Sequence, residues 1–356
     1  MQFRNKGVSL KRATAFTSAI TLALVTVPAM VGAVAAQAAT TTAKSPYAAL
    51  SPYASVTSPK LTKATAATSR AASLAYWTPQ RLEHAKSADS LAPKTRTALP
   101  AETALAASSA GPHKVAPVAG KDKAQAVAGP RVGASPALGT VYVTPAIGKV
   151  FFTVGGVGYA CSASSVNSAS GELVMTAGHC VFSVSLQAWA GNFVYIPAYA
   201  NGNAPYGTWS GVSMATFAGF ASSGDDTLDT GYVAVSGPGK LVATVGGMGI
   251  EADYTSFSDP LFTMGYPSAT PETQAYCYAT ATINTADGLI FLPCSQGPGA
   301  SGSPILDNYD TTSGLGTLAS DLTLEWGYSD GSTANSGPVY GDTQWDEYLS
   351  MGSVVV

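Results

Sequence analysis

From residue 132 to the C-terminus the sequence is a succession of short apolar runs, each closed by a turn signal, and few folds suit that pattern. Runs at 148–154, 172–176, 193–196, 230–235, 261–264, 275–283, 289–292, 304–306 and 315–319 have strand length. Between them stand Gly155-Gly156, Asn201-Gly202, Asp287-Gly288 and Asp330-Gly331, dipeptides that favour tight turns. Helical spacing occurs at the very end, where Trp345, Tyr348 and Leu349 follow Asp342 at i, i+3, i+4. The region therefore reads as all-β, a sandwich or a pair of barrels, with a short C-terminal helix. It contains no sequence repeat.

The preceding residues are of another kind. Arg4, Lys6, Lys11 and Arg12 open the chain, an Ala/Leu/Val-rich run follows, and Ala36-Gln37-Ala38 supplies small residues. Basic, then apolar, then small describes a signal peptide over 1–38. Thr17, Thr21, Thr26 and Pro28 interrupt the apolar run and argue against a permanent membrane span. Residues 39–131 are rich in Ala, Ser, Thr, Lys and Pro and hold 12 Lys/Arg against 4 Asp/Glu. Such a stretch buries too little apolar surface to offset its ordering entropy alone. It reads as a largely disordered N-terminal region, with a short helix within 71–85 formed against a partner. His84 and His113 read as solvated.

Charge then inverts. From Val132 onward, Lys149 and Lys240 are the only cations against 17 Asp/Glu. An acidic surface is a poor partner for nucleic acid. All four cysteines, Cys161, Cys180, Cys277 and Cys294, lie here, and an even count in an exported chain suggests two disulfides. The basic leader facing an acidic domain suggests electrostatic docking of a pro-region on the domain that follows it. The divisions are 1–38, 39–136 and 137–356, with Arg131-Val132 a plausible processing point.

Three strings carry chemistry, in the order His, Asp, Ser. Thr176-Ala177-Gly178-His179-Cys180 follows an apolar run and holds the only histidine after residue 113. Asp229 directly precedes the apolar run 230–235, with Asp225 and Asp226 as close rivals. Gly297-Pro298-Gly299-Ala300-Ser301-Gly302-Ser303-Pro304 is a serine on a glycine-rich turn. A serine hydroxyl is a weak nucleophile until an imidazole takes its proton. A carboxylate on the other ring nitrogen fixes the tautomer. The turn lets the backbone N–H groups of Gly299 and Ser301 converge where an oxyanion would form.

These strings resemble the chymotrypsin-like serine proteases, in the secreted bacterial branch that includes the glutamyl endopeptidases. The resemblance rests on Ala177-Gly178-His179-Cys180, on Cys161-Ser162-Ala163-Ser164 and on Gly299-Ala300-Ser301-Gly302-Ser303-Pro304, and spans residues 137–356. It implies two packed six-stranded antiparallel β-barrels with the active site between them. His179 and Asp229 then come from the first barrel and Ser301 from the second. It also implies the disulfides Cys161–Cys180 and Cys277–Cys294. Two departures bear on regulation and specificity. Ala300 stands where the trypsin branch has the aspartate that pairs with a new N-terminus. Ser295, at the base of the family's S1 pocket, supplies no charge, and no histidine remains to read an acidic P1 side chain. Asp321 is a second S1 candidate.

The expected protein is a secreted, monomeric serine endopeptidase made as a precursor and acting on proteins or peptides. It needs no cofactor or metal, although Asp225-Asp226 would suit Ca²⁺ if not simply solvated. It has no membrane attachment once the signal is cleaved. Two alternatives stay open. One is an inactive homologue serving as a cell-surface binding module, with 39–136 as a linker. The other is an esterase on the same fold.

Overall fold

The computed structural model describes residues 45–92, 112–121, 125–128, 142–284, 287–328 and 333–355. The proposed signal peptide and Arg131-Val132 lie outside the described residues. Everything below belongs to one compact unit spanning 44–356.

Six strands close into an antiparallel barrel. Their order is Trp209–Phe217, Gly191–Pro197, Ile147–Val154, Val157–Val166, Leu173–Ala177 and Thr230–Ser236, and the last pairs back onto the first. Ile147–Val154 is buried along its whole length. Burial on both faces is why Val150, Phe151 and Phe152 follow one another without apolar/polar alternation. One of its residues, Phe151, meets Tyr199 at 5.3 Å between ring centroids and Trp77 of the leader at 5.5 Å. The second half is laid out as two sheets rather than one continuous ring. A six-stranded sheet contains Leu261–Gly265, Pro304–Asp310 and Leu315–Asp321, and a four-stranded sheet contains Leu289–Leu292 and Thr333–Pro338. The run 275–283 is divided between them, as Ala275–Ala279 in the first and Thr282–Asn284 in the second. Cys277–Cys294 ties the two sheets near this division. The terminal helix is Asp342–Gly352. Among the described residues no helix is long and apolar enough to cross a membrane.

Much of the leader is folded onto the β domain. Ser55–Thr57 pairs antiparallel with Trp209–Phe217, and Lys86–Ser87 pairs parallel with Val157–Val166. A helix, Lys63–Tyr76, runs between them, capped by Thr62, whose side chain accepts from the Thr65 amide. Trp77 follows, almost buried, its Nε1 donating to the Asn192 carbonyl at 2.7 Å. A composition too polar to fold alone is thus ordered by borrowing strand edges and an apolar surface. Among the described residues these contacts are mainly backbone pairing and apolar insertion. One ion pair described between leader and domain is Lys114–Glu251, 2.7 Å. His113, expected to be solvated, instead stacks on Trp345 at 4.8 Å, with its Nε2 3.0 Å from Asp342 Oδ1. His84 is exposed, as expected.

Lys149 is the unusual charge of the barrel. It is 6% exposed, and its Nζ donates to the Pro271 carbonyl at 2.8 Å. Its ammonium lies 5.1 Å from the ring centroids of both Phe151 and Tyr199. Burial lowers its pKa from 10.5 to about 8, against the opposing pull of Glu272. Between those values the unfolded chain binds the extra proton, so this residue's contribution to stability rises with pH across that window, by about 3 kcal/mol at most. Above the ordinary tyrosine value of 10.0, the buried Tyr195, Tyr232 and Tyr340 act the other way. We expect Lys149→Met to stabilise the fold at pH 7 by about 1–3 kcal/mol and to have little effect at pH 10. Urea midpoints of the two proteins at both pH values check this. An equal difference at both pH values would remove Lys149 from the account.

Candidate active site

Strand register brings the first two groups together. Thr230 pairs with Ala177, so the residues just outside that pair, Asp229 and Gly178-His179, are neighbours. His179 sits in the 3₁₀ turn Gly178–Cys180, and Asp229 closes the turn Asp226–Leu228. Asp229 accepts twice from one residue, from the His179 backbone N–H at 2.7 Å and from the ring Nδ1 at 2.8 Å. Both side chains are fully buried. A side chain at Gly178 would place its Cβ 2.9 Å from Asp229 Oδ1, so the residue before the histidine has no room for one. Behind the turn, the disulfide Cys161–Cys180 joins it to the neighbouring strand with Cα atoms 6.3 Å apart.

Burial alone would lower the His179 pKa. The Asp229 charge and hydrogen bond, aided by Asp89 and Asp321, outweigh that and raise it. Its Nε2 is buried and has no hydrogen-bond partner.

Asp225 and Asp226 are also placed by the turn. Asp225 accepts from the Thr227 amide at 3.1 Å and from its hydroxyl at 2.7 Å, and so caps the 3₁₀ segment. Both aspartates are buried, which corrects the expectation of a solvated acidic loop. They serve the turn that presents Asp229.

Ser301 arrives from the other half of the molecule, on the turn preceding Pro304–Asp310. The two halves are joined here by Ser162. Its amide donates to the Ser301 carbonyl at 2.8 Å, and its hydroxyl donates to the Gly299 carbonyl at 3.2 Å. That hydroxyl also accepts from the Tyr266 amide at 2.8 Å. Ser162 stands in the Cys161-Ser162-Ala163-Ser164 string, which carries meaning beyond its cysteine.

Asp321 is 1% exposed, and its Oδ1 accepts from Thr230 Oγ1 and from the Tyr340 hydroxyl, both at 2.8 Å. Burial, with Asp229 nearby, pushes its pKa well up. It lies inside the protein near Asp229, with its Oδ1 committed to Thr230 and Tyr340, an arrangement that does not favour the S1 role expected of it. Ser295 lies in the loop before the serine turn, accepts from the Gly297 amide at 3.1 Å, and hydrogen-bonds the Glu325 carboxylate.

A further residue stands among these groups. Asp89, from the leader, accepts from Ser301 Oγ at 3.0 Å and from the Gly299 amide at 3.1 Å, both on Oδ1, with Oδ2 3.3 Å from that amide. Its neighbours in sequence form no apolar pattern, and nothing in the sequence marks it except that it is one of few acids in a basic stretch.

No family model matches the chain. Among solved structures, the protease Anisep from Arthrobacter nicotinovorans is similar at 32% identity and a TM-score of 0.53, over 59% of this chain and 97% of that one. A thermostable serine protease, AL20, from an extremophilic microorganism is 28% identical with a TM-score of 0.51, over 60% of this chain and 99% of that one. An extracellular metalloprotease of Bacillus subtilis (strain 168) is 29% identical over 164 residues, 43% of this chain. The match spans 48% of that relative's length.

Proposed function

The chain belongs to the bacterial chymotrypsin-like serine proteases, and we propose that it is an exported endopeptidase working through Ser301, His179 and Asp229. The observation that carries this reading is convergence. The Gly299 amide and the Ser301 hydroxyl reach a single oxygen atom, at 3.1 and 3.0 Å, beside a buried His179–Asp229 pair. A reacting oxygen placed at that point meets both a nucleophile and an oxyanion donor.

In the mechanism, Asp229 holds Nδ1–H and leaves the Nε2 lone pair free to take the Ser301 proton. Oγ attacks the scissile carbonyl carbon, and the developing oxyanion is met by the Gly299 and Ser301 amides. His179 then returns the proton to the leaving amine, and an ester to Ser301 remains. Water, deprotonated by His179, hydrolyses that ester and restores the serine. The imidazolium formed in each step is stabilised by Asp229, whose two bonds to one residue also fix the ring's orientation.

The Bacillus subtilis relative's name refers to a metal, and the donors around His179 do not fit one. The neighbouring Cys161 and Cys180 sulfurs are joined to each other, and Nδ1 is taken by Asp229. No step runs through a metal. Export rests on the basic, apolar and small-residue order of 1–38.

A fluorophosphonate probe tests the reading. Protein recovered from culture medium and freed of its leader is expected to carry the label on one peptide, at Ser301. A label that persists after Ser301→Ala, or a protein that takes none, would refute it.

A further inference from the structure

We propose that Asp89 is a built-in occupant of the oxyanion site, so that the unprocessed chain is held inactive by the carboxylate of its own leader. The inference rests on the catalytic reading of Ser301 given above. The leader is docked so as to aim this residue. Lys86–Ser87 is fixed in parallel pairing with Tyr159 and Ala160, and Ala88 is fully buried. The Ser87 hydroxyl accepts from the Asp89 amide at 3.2 Å and starts a 3₁₀ turn, Ala88–Ser90. The turn delivers the Asp89 carboxylate to the Gly299 amide and to Ser301 Oγ.

Three consequences follow from that placement. An anionic oxygen already sits where a substrate's oxyanion would form, so the amide that would stabilise the transition state is in use. The Ser301 proton points to Asp89 and not to the base, and His179 Nε2 has no partner. The added negative charge also favours the protonated imidazole, which cannot accept a proton from serine. Ala300 leaves the chain without an aspartate before the nucleophile, so control does not depend on a new N-terminus pairing there. What the carboxylate blocks is restored by taking the leader away. The ligand class of the site is accordingly a carboxylate, presented in cis by residues 86–90.

The test uses the full chain. Fluorophosphonate labelling is followed by intact mass, which separates unprocessed from processed protein, for wild type, Asp89→Ala and Asp89→Asn. Losing charged hydrogen bonds of this kind is expected to speed labelling of the folded, unprocessed Asp89→Ala chain about 10- to 100-fold over wild-type precursor. Asp89→Asn, which keeps the shape but not the charge, should fall between them. If processed wild type is labelled while both folded variant precursors react no faster than wild-type precursor, the Asp89 proposal is overturned and the protease reading stands. Loss of folding in both variants also overturns it, since the role assigned to Asp89 is at the site and not in the fold. If even processed protein takes no label, the catalytic reading of Ser301 fails and this inference with it.

Discussion

Ser301→Ala, His179→Ala and the double variant are expected to lose about the same activity, on the order of 10⁶-fold in kcat, because nucleophile and base act as one unit. Neither has an alternative close by. His179 is the only histidine after residue 113, and Lys149, the other titratable base of the barrel, is occupied by the Pro271 carbonyl. Asp229→Asn should cost less, about 10⁴-fold, and for a different reason. The amide would still accept one bond, but its NH₂ would face either the His179 backbone N–H or Nδ1–H. Because the backbone N–H cannot give up its proton, the amide oxygen turns to it and the NH₂ faces Nδ1, which must then accept. The ring proton moves to Nε2, which is then a donor where an acceptor is required. Since His179 and Asp229 are both fully buried, water offers no substitute partner. Steady-state hydrolysis of a chromogenic peptide by the processed variants, with circular dichroism to verify folding, measures all four. A double variant a further thousandfold below the singles, or a His179→Ala protein within tenfold of wild type, would contradict the assignment of roles.

The sequence pointed to these groups unevenly, for reasons of range. His179 and Ser301 stand out because scarcity and a glycine-flanked turn are local signals. Choosing Asp229 over Asp225 and Asp226 needs the strand register, in which Thr230 faces Ala177. The apolar runs marked nine strand positions, yet two of the six barrel strands, Val157–Val166 and Trp209–Phe217, were not visible. Val157–Val166 ends in small hydroxyl residues, among them Ser162, Ser164 and Ser165, which are buried at 0–1% exposure. Ser162 is tolerated there because it hydrogen-bonds across the junction between the two halves. Asp321 looked like a pocket residue because its strand follows the nucleophile, and only packing against Thr230 and Tyr340 shows that it turns inward. Asp89 is the extreme case. Its contact with Ser301 spans 212 residues, and no periodicity in an Ala/Ser/Lys-rich leader can report a partner so distant.

The glycines around Ser301 are expected to differ sharply when each is changed to alanine, although the sequence presents them as one motif. All three, Gly297, Gly299 and Gly302, have positive φ, at 76°, 92° and 81°. An alanine therefore carries a backbone cost of about 1–2 kcal/mol at each. Space separates them. A Cβ on Gly297 meets nothing within 4 Å, so that cost should be nearly all. On Gly299 it would lie 2.9 Å from Ser268 Oγ and 3.0 Å from the Tyr266 carbonyl oxygen, which asks for a small shift of the turn. On Gly302 it would lie 2.1 Å from Thr176 Oγ1, 2.2 Å from the Ser162 carbonyl oxygen and 2.9 Å from the Ala177 nitrogen. Those atoms belong to the strands that carry His179 and Cys161, so Gly302 is the point where the serine turn rests directly on the histidine strand. Relieving the overlap means separating the two halves at the site or breaking the Thr176-to-Ser162 hydrogen bond of 2.7 Å. We expect Gly302→Ala to lose at least 4 kcal/mol of stability, or to fail to fold, against about 1 kcal/mol for Gly297→Ala. Denaturant unfolding of the inactive Ser301→Ala protein carrying each change, which removes self-digestion from the measurement, compares them. Equal stabilities for the Gly297 and Gly302 variants would show that the motif needs only turn geometry. A large gap would show that its last glycine is there for contact between the halves.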